Sequence, residues 1–189
     1  MKKQQNKFTV FLLIIIISTT LAGIYGIIHD IITYSISKEY FTKLKFIQFR
    51  IQNWGFGKNI GTSKSPEIIL QQPLFGVSIV GFLATWWVGT ILGVILSFTG
   101  LIHKDASHMF KTNIKIILNT LIIAFISGIG GLFFGYVYLL NNSPNWFFPD
   151  NLINKTNFIL VGSIHNFSYI GGFIGLIYGV IKNFKSKNV

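Results

Sequence analysis

The fold is decided near the start of the chain, where residues 8–28 read FTVFLLIIIISTTLAGIYGII and contain no charged side chain. A helix needs about 20 apolar residues to cross the hydrocarbon core of a bilayer, where it satisfies its own backbone hydrogen bonds. This segment has both the length and the composition. It therefore predicts a transmembrane helix.

Three more apolar segments follow among the 189 residues, at 75–102, 114–140 and 158–181. Of all residues 51% are hydrophobic and only 11% are charged, against about a quarter charged in soluble domains. We predict an all-α integral membrane protein whose four transmembrane helices form a single domain over residues 1–189. A long loop, residues 29–73, connects the first two spans.

The composition also limits the function classes. The chain has 16 Lys and Arg against 5 Asp and Glu, a charge that in a soluble protein would suit nucleic acid. Here the cations flank apolar segments, so we predict the lipid bilayer as partner and no nucleic acid. The absence of Cys excludes disulfides, thiolate metal sites and a lipoprotein anchor.

Lysines near the span ends predict the orientation, because cytoplasmic loops are enriched in Lys and Arg. Three groups fall on one side: Lys2, Lys3 and Lys7; Lys104, Lys111 and Lys115; and Lys182, Lys185 and Lys187. We therefore expect both termini in the cytoplasm and the chain in a bacterial inner membrane. The loop on the other side conflicts with this, since it also carries cations: Lys38, Lys43, Lys45, Arg50, Lys58 and Lys64.

The first span has an alternative interpretation as a signal peptide. Lysines precede it, and Leu21-Ala22-Gly23 offers small residues near a cleavage point. The apolar run exceeds the roughly 7 to 15 residues of a signal peptide, which favours a retained helix.

The loop contains two predicted helix starts. Ser37 as N-cap and Glu39 in the first turn predict a short helix over residues 38–45. Pro66 predicts a second helix, which Pro73 would separate from the second span. The aromatic and basic residues of the loop suit contact with lipid headgroups, and a solvated loop with a few buried anchors is the alternative.

Small residues recur along the last three spans at helical spacing. Membrane helices associate through close packing, which small residues permit. We predict helix contacts at Gly81, Gly89 and Gly93, at Gly128, Gly131 and Gly135, and at Gly172, Gly175 and Gly179. A homo-oligomer or another membrane subunit that uses one of these stripes is the alternative.

Ionisable residues within the spans are the candidates for function, because they are costly in a bilayer. His29 and Asp30 follow the first span, and His165 lies seven residues into the fourth. Because the first span ends and the fourth begins on the same side, the three residues fall in the same half of the membrane. We predict that Asp30 or Glu39 is the partner of His165. The predicted polar cluster consists of His29, Asp30, Tyr34, Glu39, Trp86 and His165.

Three roles are open for this cluster: a structural hydrogen bond, a proton or small-ligand site, and a metal site. Two histidines and a carboxylate suit zinc or iron, although the spacing gives only a weak signal for His29, Asp30 and His165 as metal ligands. His103 and His108, in the turn between the second and third spans, are predicted to be solvated. Phosphate-binding loops, nucleophile elbows and zinc-protease motifs are missing, so no catalytic residue is predicted.

Two further motifs carry a resemblance. The loop motif is His29-Asp30-x-x-Thr33 followed by Glu39-Tyr40-Phe41-Thr42, and the second span contains ATWWVG at residues 84–89. Over about the first 100 residues, the chain resembles a group of uncharacterised bacterial multi-span membrane proteins. Relatives often have Gln where this chain has Ile31. The resemblance implies a membrane class and candidate residues, and no reaction.

The sequence thus predicts an integral membrane protein of unknown molecular function, whose outward-facing polar pocket binds a small ligand or proton or anchors a partner. The alternatives are a subunit of an oligomeric transporter or channel, and a metal-dependent membrane enzyme. The cofactor is unknown.

Overall fold

The computed structural model describes residues 6–187 and confirms the predicted four-helix membrane fold. The chain forms α1 (Lys7–Ile36), α2 (Lys38–Tyr40), α3 (Phe46–Gln48), β1 (Gly57–Asn59), β2 (Ile68–Leu70), α4 (Pro73–Gly100), α5 (Ala106–Phe134) and α6 (Lys155–Lys185). A π-helical turn over Phe41–Lys45 joins α2 to α3, a 3-10 turn covers Ile51–Trp54, and a second π-helical turn over Gly135–Leu139 extends α5. The long helices α1, α4, α5 and α6 are apolar and long enough to cross a membrane.

Helix α1 is longer than the sequence predicts. It continues to Ile36, so the prediction that a loop begins at residue 29 is wrong. His29, Asp30 and Thr33 are buried on one face of the helix, while Ile28 lies on the exposed side. These polar side chains are compatible with a continuous helix, because they face hydrogen-bond partners inside the bundle.

Glycines bring α1 and α4 into close contact. A Cβ on Gly26 would collide with the backbone of Gly81, and a Cβ on Gly81 would collide with the backbone of Gly26. Later in α4, Gly89 lies against Ser18, earlier in α1, so the two helices are antiparallel. Close backbone approach of this kind is typical of membrane helix pairs.

Helices α5 and α6 form the second pair. Gly175 lies against Thr120 and Gly131 against Ser163, which makes this pair antiparallel too. Each helix packs more extensively within its own pair than across to the other. The two pairs therefore meet along looser seams, one of which runs between α4 and α6.

Eight of the nine predicted contact glycines lie against a neighbouring helix: Gly81, Gly89, Gly93, Gly128, Gly131, Gly135, Gly175 and Gly179. The prediction for Gly172 is wrong. A Cβ at Gly172 would meet nothing within 4 Å, because the residue borders a cavity.

The residues between α1 and α4 and those between α5 and α6 cover one end of the bundle, called here the loop end. Ser37 caps α2 as predicted, with Oγ accepting a hydrogen bond from the Tyr40 N–H at 3.3 Å. The helix predicted from Pro66 is wrong, since residues 68–70 pair antiparallel with residues 57–59. Ile68 and Leu70 are buried while Ile69 is exposed, which is the period of a strand.

The loop end has its own hydrophobic core, built from Tyr40, Phe41, Phe46, Ile51, Ile68, Leu70, Val77, Val80, Phe158 and Val161. Loop, α4 and α6 all contribute to it. The loop is therefore a packed cap on the bundle. The opposite end, called here the turn end, contains the start of α1, the turn over residues 101–105 and the end of α6.

Candidate functional site

A buried carboxylate links α1 to α6 near the loop end. Asp30 Oδ1 lies 3.2 Å from Nδ1 of His29 and 3.1 Å from Nε2 of His165. Asp30 is only 3% exposed, and both histidines are buried. The structure thus brings together three of the residues predicted for the polar cluster.

The hydrogen bond of His165 Nδ1 determines whether a cation must lie between His165 Nε2 and Asp30. Nδ1 of His165 lies 2.9 Å from the Val161 carbonyl oxygen, which can only accept, so this nitrogen carries a proton and donates. In a neutral imidazole the lone pair of Nε2 then faces the Asp30 carboxylate. Two lone pairs at 3.1 Å repel unless a cation, either a proton or a metal ion, lies between them.

The His29 ring lies between two oxygen partners, with Nε2 3.1 Å from Ser168 Oγ and Nδ1 3.2 Å from Asp30 Oδ1. A proton on Nδ1 would donate to Asp30, whereas a proton on Nε2 would donate to Ser168 and leave the Nδ1 lone pair facing Asp30. The hydroxyl of Thr33 donates to the backbone carbonyls of His29 and Asp30 at 3.1 and 3.2 Å. These contacts fix the backbone that carries the cluster.

Two buried polar atoms beside the cluster have no hydrogen-bond partner within residues 6–187: Asp30 Oδ2 and the hydroxyl oxygen of Tyr25. Both residues line the same cavity, which is partly open and has an accessible volume of about 60 Å³. Buried polar groups nearly always form hydrogen bonds, so an unpaired one indicates a missing partner such as a ligand or an ion. A ligand in the cavity would provide one.

The cavity lies between the two helix pairs and takes residues from all four long helices. Its walls are small or apolar: Ala22 of α1, Ala84, Val88 and Leu92 of α4, and Leu121 and Ala124 of α5. At its edge the Tyr169 hydroxyl donates to the Ala84 carbonyl at 3.3 Å and bridges α6 to α4. The polar cluster therefore forms one end of an otherwise apolar chamber.

The cluster has the donor set of a metal site. One ligand atom from each of His29, Asp30 and His165 lies within 4.8 Å of the others. Ligand atoms about 2.0–2.1 Å from a tetrahedral zinc ion are about 3.3 Å apart, close to the observed 3.1 and 3.2 Å. Each imidazole also has its other nitrogen on a protein oxygen, as histidines in metal sites do.

Three residues predicted for the cluster lie elsewhere, and these predictions are wrong. Glu39 accepts from Lys43 Nζ at 2.5 Å and from the Ile153 and Asn154 N–H groups at 3.0 and 2.7 Å, just before α6. The Tyr34 ring packs on Phe41 in the loop-end core.

Trp86 is 41% exposed on the outer face of α4. The reason is helical geometry, because α4 turns Ala84, Thr85 and Val88 into the cavity and Trp86 away from it.

Tyr25 and Ser168 are site residues that the prediction missed. Tyr25 precedes His29 by four residues, and Ser168 follows His165 by three. Side chains at these spacings share a helix face, so helical periodicity was the signal that could have found them.

Aromatic residues of the cap close the loop-end side of the cluster. The ring centroids of Tyr40 and His165 are 5.0 Å apart, and those of Phe41 and His165 are 6.3 Å apart. Lys45 Nζ lies 5.8 Å from the Tyr40 ring centroid. Burial lowers the pKa of the Lys45 ammonium, although the negative charge of Asp30 opposes this.

A second buried polar network lies at the turn end. The prediction that His103 is solvated is wrong: it is fully buried, and its Nε2 lies 3.0 Å from Asn183 Oδ1. The His108 ring packs against it at 4.7 Å, and His108 Nε2 lies 3.2 Å from the Ser186 carbonyl. Lys7 Nζ donates to the carbonyls of Leu101 and His103.

Comparisons with known proteins do not identify this site. No protein-family model, no curated protein and no solved structure matches the chain. The resemblance to uncharacterised membrane proteins stays a prediction.

Proposed function

We propose that this membrane protein binds a divalent transition-metal ion, with His29, Asp30 and His165 as its ligands. Two imidazole nitrogens and a carboxylate oxygen form a donor set that suits zinc and iron. The ion would add positive charge in direct contact with a carboxylate that is buried between apolar helices, whereas Lys45 acts on Asp30 without a hydrogen bond to it among the described residues.

The observation that carries the proposal is the direction of the His165 ring. Its Nδ1 is committed to the Val161 carbonyl, so its Nε2 lone pair faces Asp30 Oδ1 at 3.1 Å. His29 faces the same oxygen at 3.2 Å. A metal ion resolves the repulsion and uses all three ligands at once.

A shared proton is the second candidate, because a proton between Asp30 and His165 would also remove the repulsion. The metal is favoured by the free Asp30 Oδ2 and by the third ligand, His29, neither of which a single proton requires. Three protein ligands leave a tetrahedral ion with an open fourth position, as in zinc sites that exchange ligands.

We further propose that the chain lies in a bacterial inner membrane with both termini in the cytoplasm. The turn end carries Lys7, Lys104, Lys111, Lys115, Lys182, Lys185 and Lys187. At the loop end, Lys43 is paired with Glu39 and Lys45 is buried, which weakens the opposing charge. Lys2 and Lys3, used in the prediction, lie outside the described residues. A C-terminal reporter that is active only outside the cytoplasm would overturn this orientation.

Elemental mass spectrometry of the purified protein tests the metal proposal. We expect a near-stoichiometric transition metal in the wild type and almost none in His165→Ala. The matched control is His108→Ala, which removes a histidine away from the cluster and should keep the metal.

Folding must be checked because His165 is buried. If His165→Ala unfolds, His165→Gln replaces it, since its amide retains hydrogen-bonding capacity while being a poor ligand. A wild-type protein that holds no metal after purification, and takes up no Zn²⁺ when titrated, overturns the proposal. Under that outcome, a pH-dependent part of the thermal stability that wild type shows and Asp30→Asn lacks, beyond the part that Glu39→Gln removes, would identify the shared proton.

A further inference from the structure

We infer that the open fourth position of the proposed metal ion binds a small inorganic monoanion, which accepts a hydrogen bond from the hydroxyl of Tyr25. The inference rests on the proposed function and names the class of its exchangeable ligand. The charge of the metal-loaded cluster, the free hydroxyl beside it and the size of the cavity each contribute to this assignment.

The protein ligands leave the proposed site with a positive charge. His165 Nδ1 donates to the Val161 carbonyl, and His29 Nε2 lies 3.1 Å from Ser168 Oγ. Each imidazole can therefore bind the ion through its other nitrogen as a neutral ligand. Asp30 contributes the single negative charge among the three ligands. A divalent ion held by this set keeps one positive charge uncompensated.

The surroundings of the cluster do not remove this charge. Among the residues that line the cavity as the structure describes it, Asp30 is the only acidic one. The Lys45 ammonium interacts with Asp30 from the cap, so it adds to the positive charge. An uncompensated charge between apolar helices is costly. A monoanion on the ion would neutralise it, whereas a neutral ligand would leave it in place.

Tyr25 supplies a hydrogen-bond donor for the anion. It lines the same cavity as the three ligands, and its ring centroid lies 5.6 Å from that of His29. Its hydroxyl is buried and has no hydrogen-bond partner within residues 6–187. An anion on the metal ion accepts hydrogen bonds, and a hydroxyl can donate one. Hydrogen bonds to a charged group are stronger than those between neutral groups, which favours an anion beside Tyr25.

The cavity limits the size of the anion. Its accessible volume of about 60 Å³ holds a few water-sized groups, so it suits an anion of about two or three atoms. Thr85, Thr120 and Tyr169 line the cavity too, but each of their hydroxyls already donates to a backbone carbonyl. A larger polar anion would therefore find neither the room nor the donors that it needs.

The test uses the purified protein loaded with Co²⁺, whose visible absorption reports its ligands, in a buffer without halide. Azide is the monoanionic probe, acetonitrile the neutral probe and sulfate the dianionic one. We expect azide to change the cobalt spectrum saturably while the cobalt content stays the same. Acetonitrile and sulfate should leave the spectrum unchanged.

Two tyrosine variants supply the matched pair. Tyr25→Phe removes the unpaired hydroxyl, and we expect it to weaken azide binding about tenfold, which corresponds to about 1.4 kcal/mol. Tyr169→Phe removes a hydroxyl of the same cavity that already donates to the Ala84 carbonyl, and its azide affinity should equal wild type. Both variants keep all three metal ligands, so both should bind Co²⁺ as wild type does.

A bound cobalt ion whose spectrum does not respond to azide, or responds equally to acetonitrile, overturns the inference and leaves the metal proposal intact. Equal azide affinity of the two tyrosine variants also overturns the inference, since Tyr25 would then not contact the anion. A folded wild-type protein that takes up no Co²⁺ overturns the metal proposal, and the inference with it.

Discussion

Two buried polar clusters tie the helix pairs together, one near each end of the bundle, and they differ in how completely their atoms are paired. At the turn end, Asn183 Nδ2 donates to the Leu96 carbonyl, Thr99 Oγ1 and Asn113 Oδ1, and its Oδ1 accepts from His103. At the loop end, Asp30 keeps one oxygen free and faces the lone pair of His165.

The difference separates a structural tie from a binding site. The neutral amide network at the turn end leaves a single imidazole nitrogen, His103 Nδ1, unpaired within its described residues, and it needs no counter-ion. The carboxylate at the loop end requires a cation. We therefore expect variants at the turn end to change stability, and variants at the loop end to change metal binding.

The largest effect is expected for Asp30→Asn. The amide keeps the shape of the side chain but loses the charge and the anionic ligand. Hydrogen-bond partners of metal ligands alone are worth about 10- to 100-fold in affinity, so loss of the carboxylate ligand should cost more than about 100-fold.

Competition with a chromophoric zinc chelator measures the affinity of Asp30→Asn, and thermal unfolding of the metal-free protein measures its stability. The metal-free melting temperature should not fall, because a buried carboxylate without its cation is costly. An unchanged zinc affinity would refute the assignment of metal binding to the loop-end cluster.

Asn183→Leu should have the opposite profile. The change leaves the Asn113 amide oxygen and the His103 ring without their partner inside the bundle. Hydrogen bonds between membrane helices are worth about 0.6 kcal/mol on average, so loss of all four contacts of the Asn183 amide should lower the free energy of unfolding by about 2 kcal/mol. Denaturant unfolding in mixed micelles measures the change. Loss of metal from a folded Asn183→Leu protein would contradict the separation.

Ser168→Ala sharpens the comparison within α6. Its hydroxyl contacts Nε2 of His29 at 3.1 Å and holds the ring that presents Nδ1 to Asp30. We expect about tenfold weaker zinc binding with a small loss of stability.

Ser163→Ala is the matched control for Ser168→Ala. It removes a hydroxyl of the same helix that donates to the Gly131 carbonyl, away from the cluster, and its zinc affinity should equal wild type. Equal zinc affinity of the two serine variants would mean that Ser168 does not position His29.

The sequence predicted the four helices and the meeting of His29, Asp30 and His165, because span length and orientation already place these residues in the same half of the membrane. It did not predict that Glu39 stays outside the cluster or that His103 is buried. Both depend on the rotation and register of packed helices, which close contacts such as Gly26 with Gly81 determine. Such contacts join residues that are far apart in the chain. The local sequence around Glu39 or His103 therefore does not predict them.

The smallest effect is expected at Glu39, which joins the cap to α6 outside the membrane-spanning part. Burial would raise the pKa of Glu39, but hydrogen bonds from Lys43 and from the Ile153 and Asn154 N–H groups outweigh it and lower the pKa. A carboxyl whose pKa is lower in the folded than in the unfolded state stabilises the fold above its unfolded pKa of about 4.3. This contribution is lost as the pH falls through the folded pKa.

Glu39→Gln should therefore reduce the melting temperature near pH 7 by an amount equivalent to about 1 kcal/mol or less, and the difference from wild type should shrink as the pH falls from about 4.3 through the folded pKa. Thermal unfolding across this pH range measures it. Glu67→Gln is the control, because the Glu67 carboxylate accepts from the Asn151 side chain and does not contact α6. If the difference in melting temperature between Glu39→Gln and wild type persists unchanged at low pH, the carboxylate charge of Glu39 does not hold the cap onto α6. The amide would then disturb the cap by its shape alone.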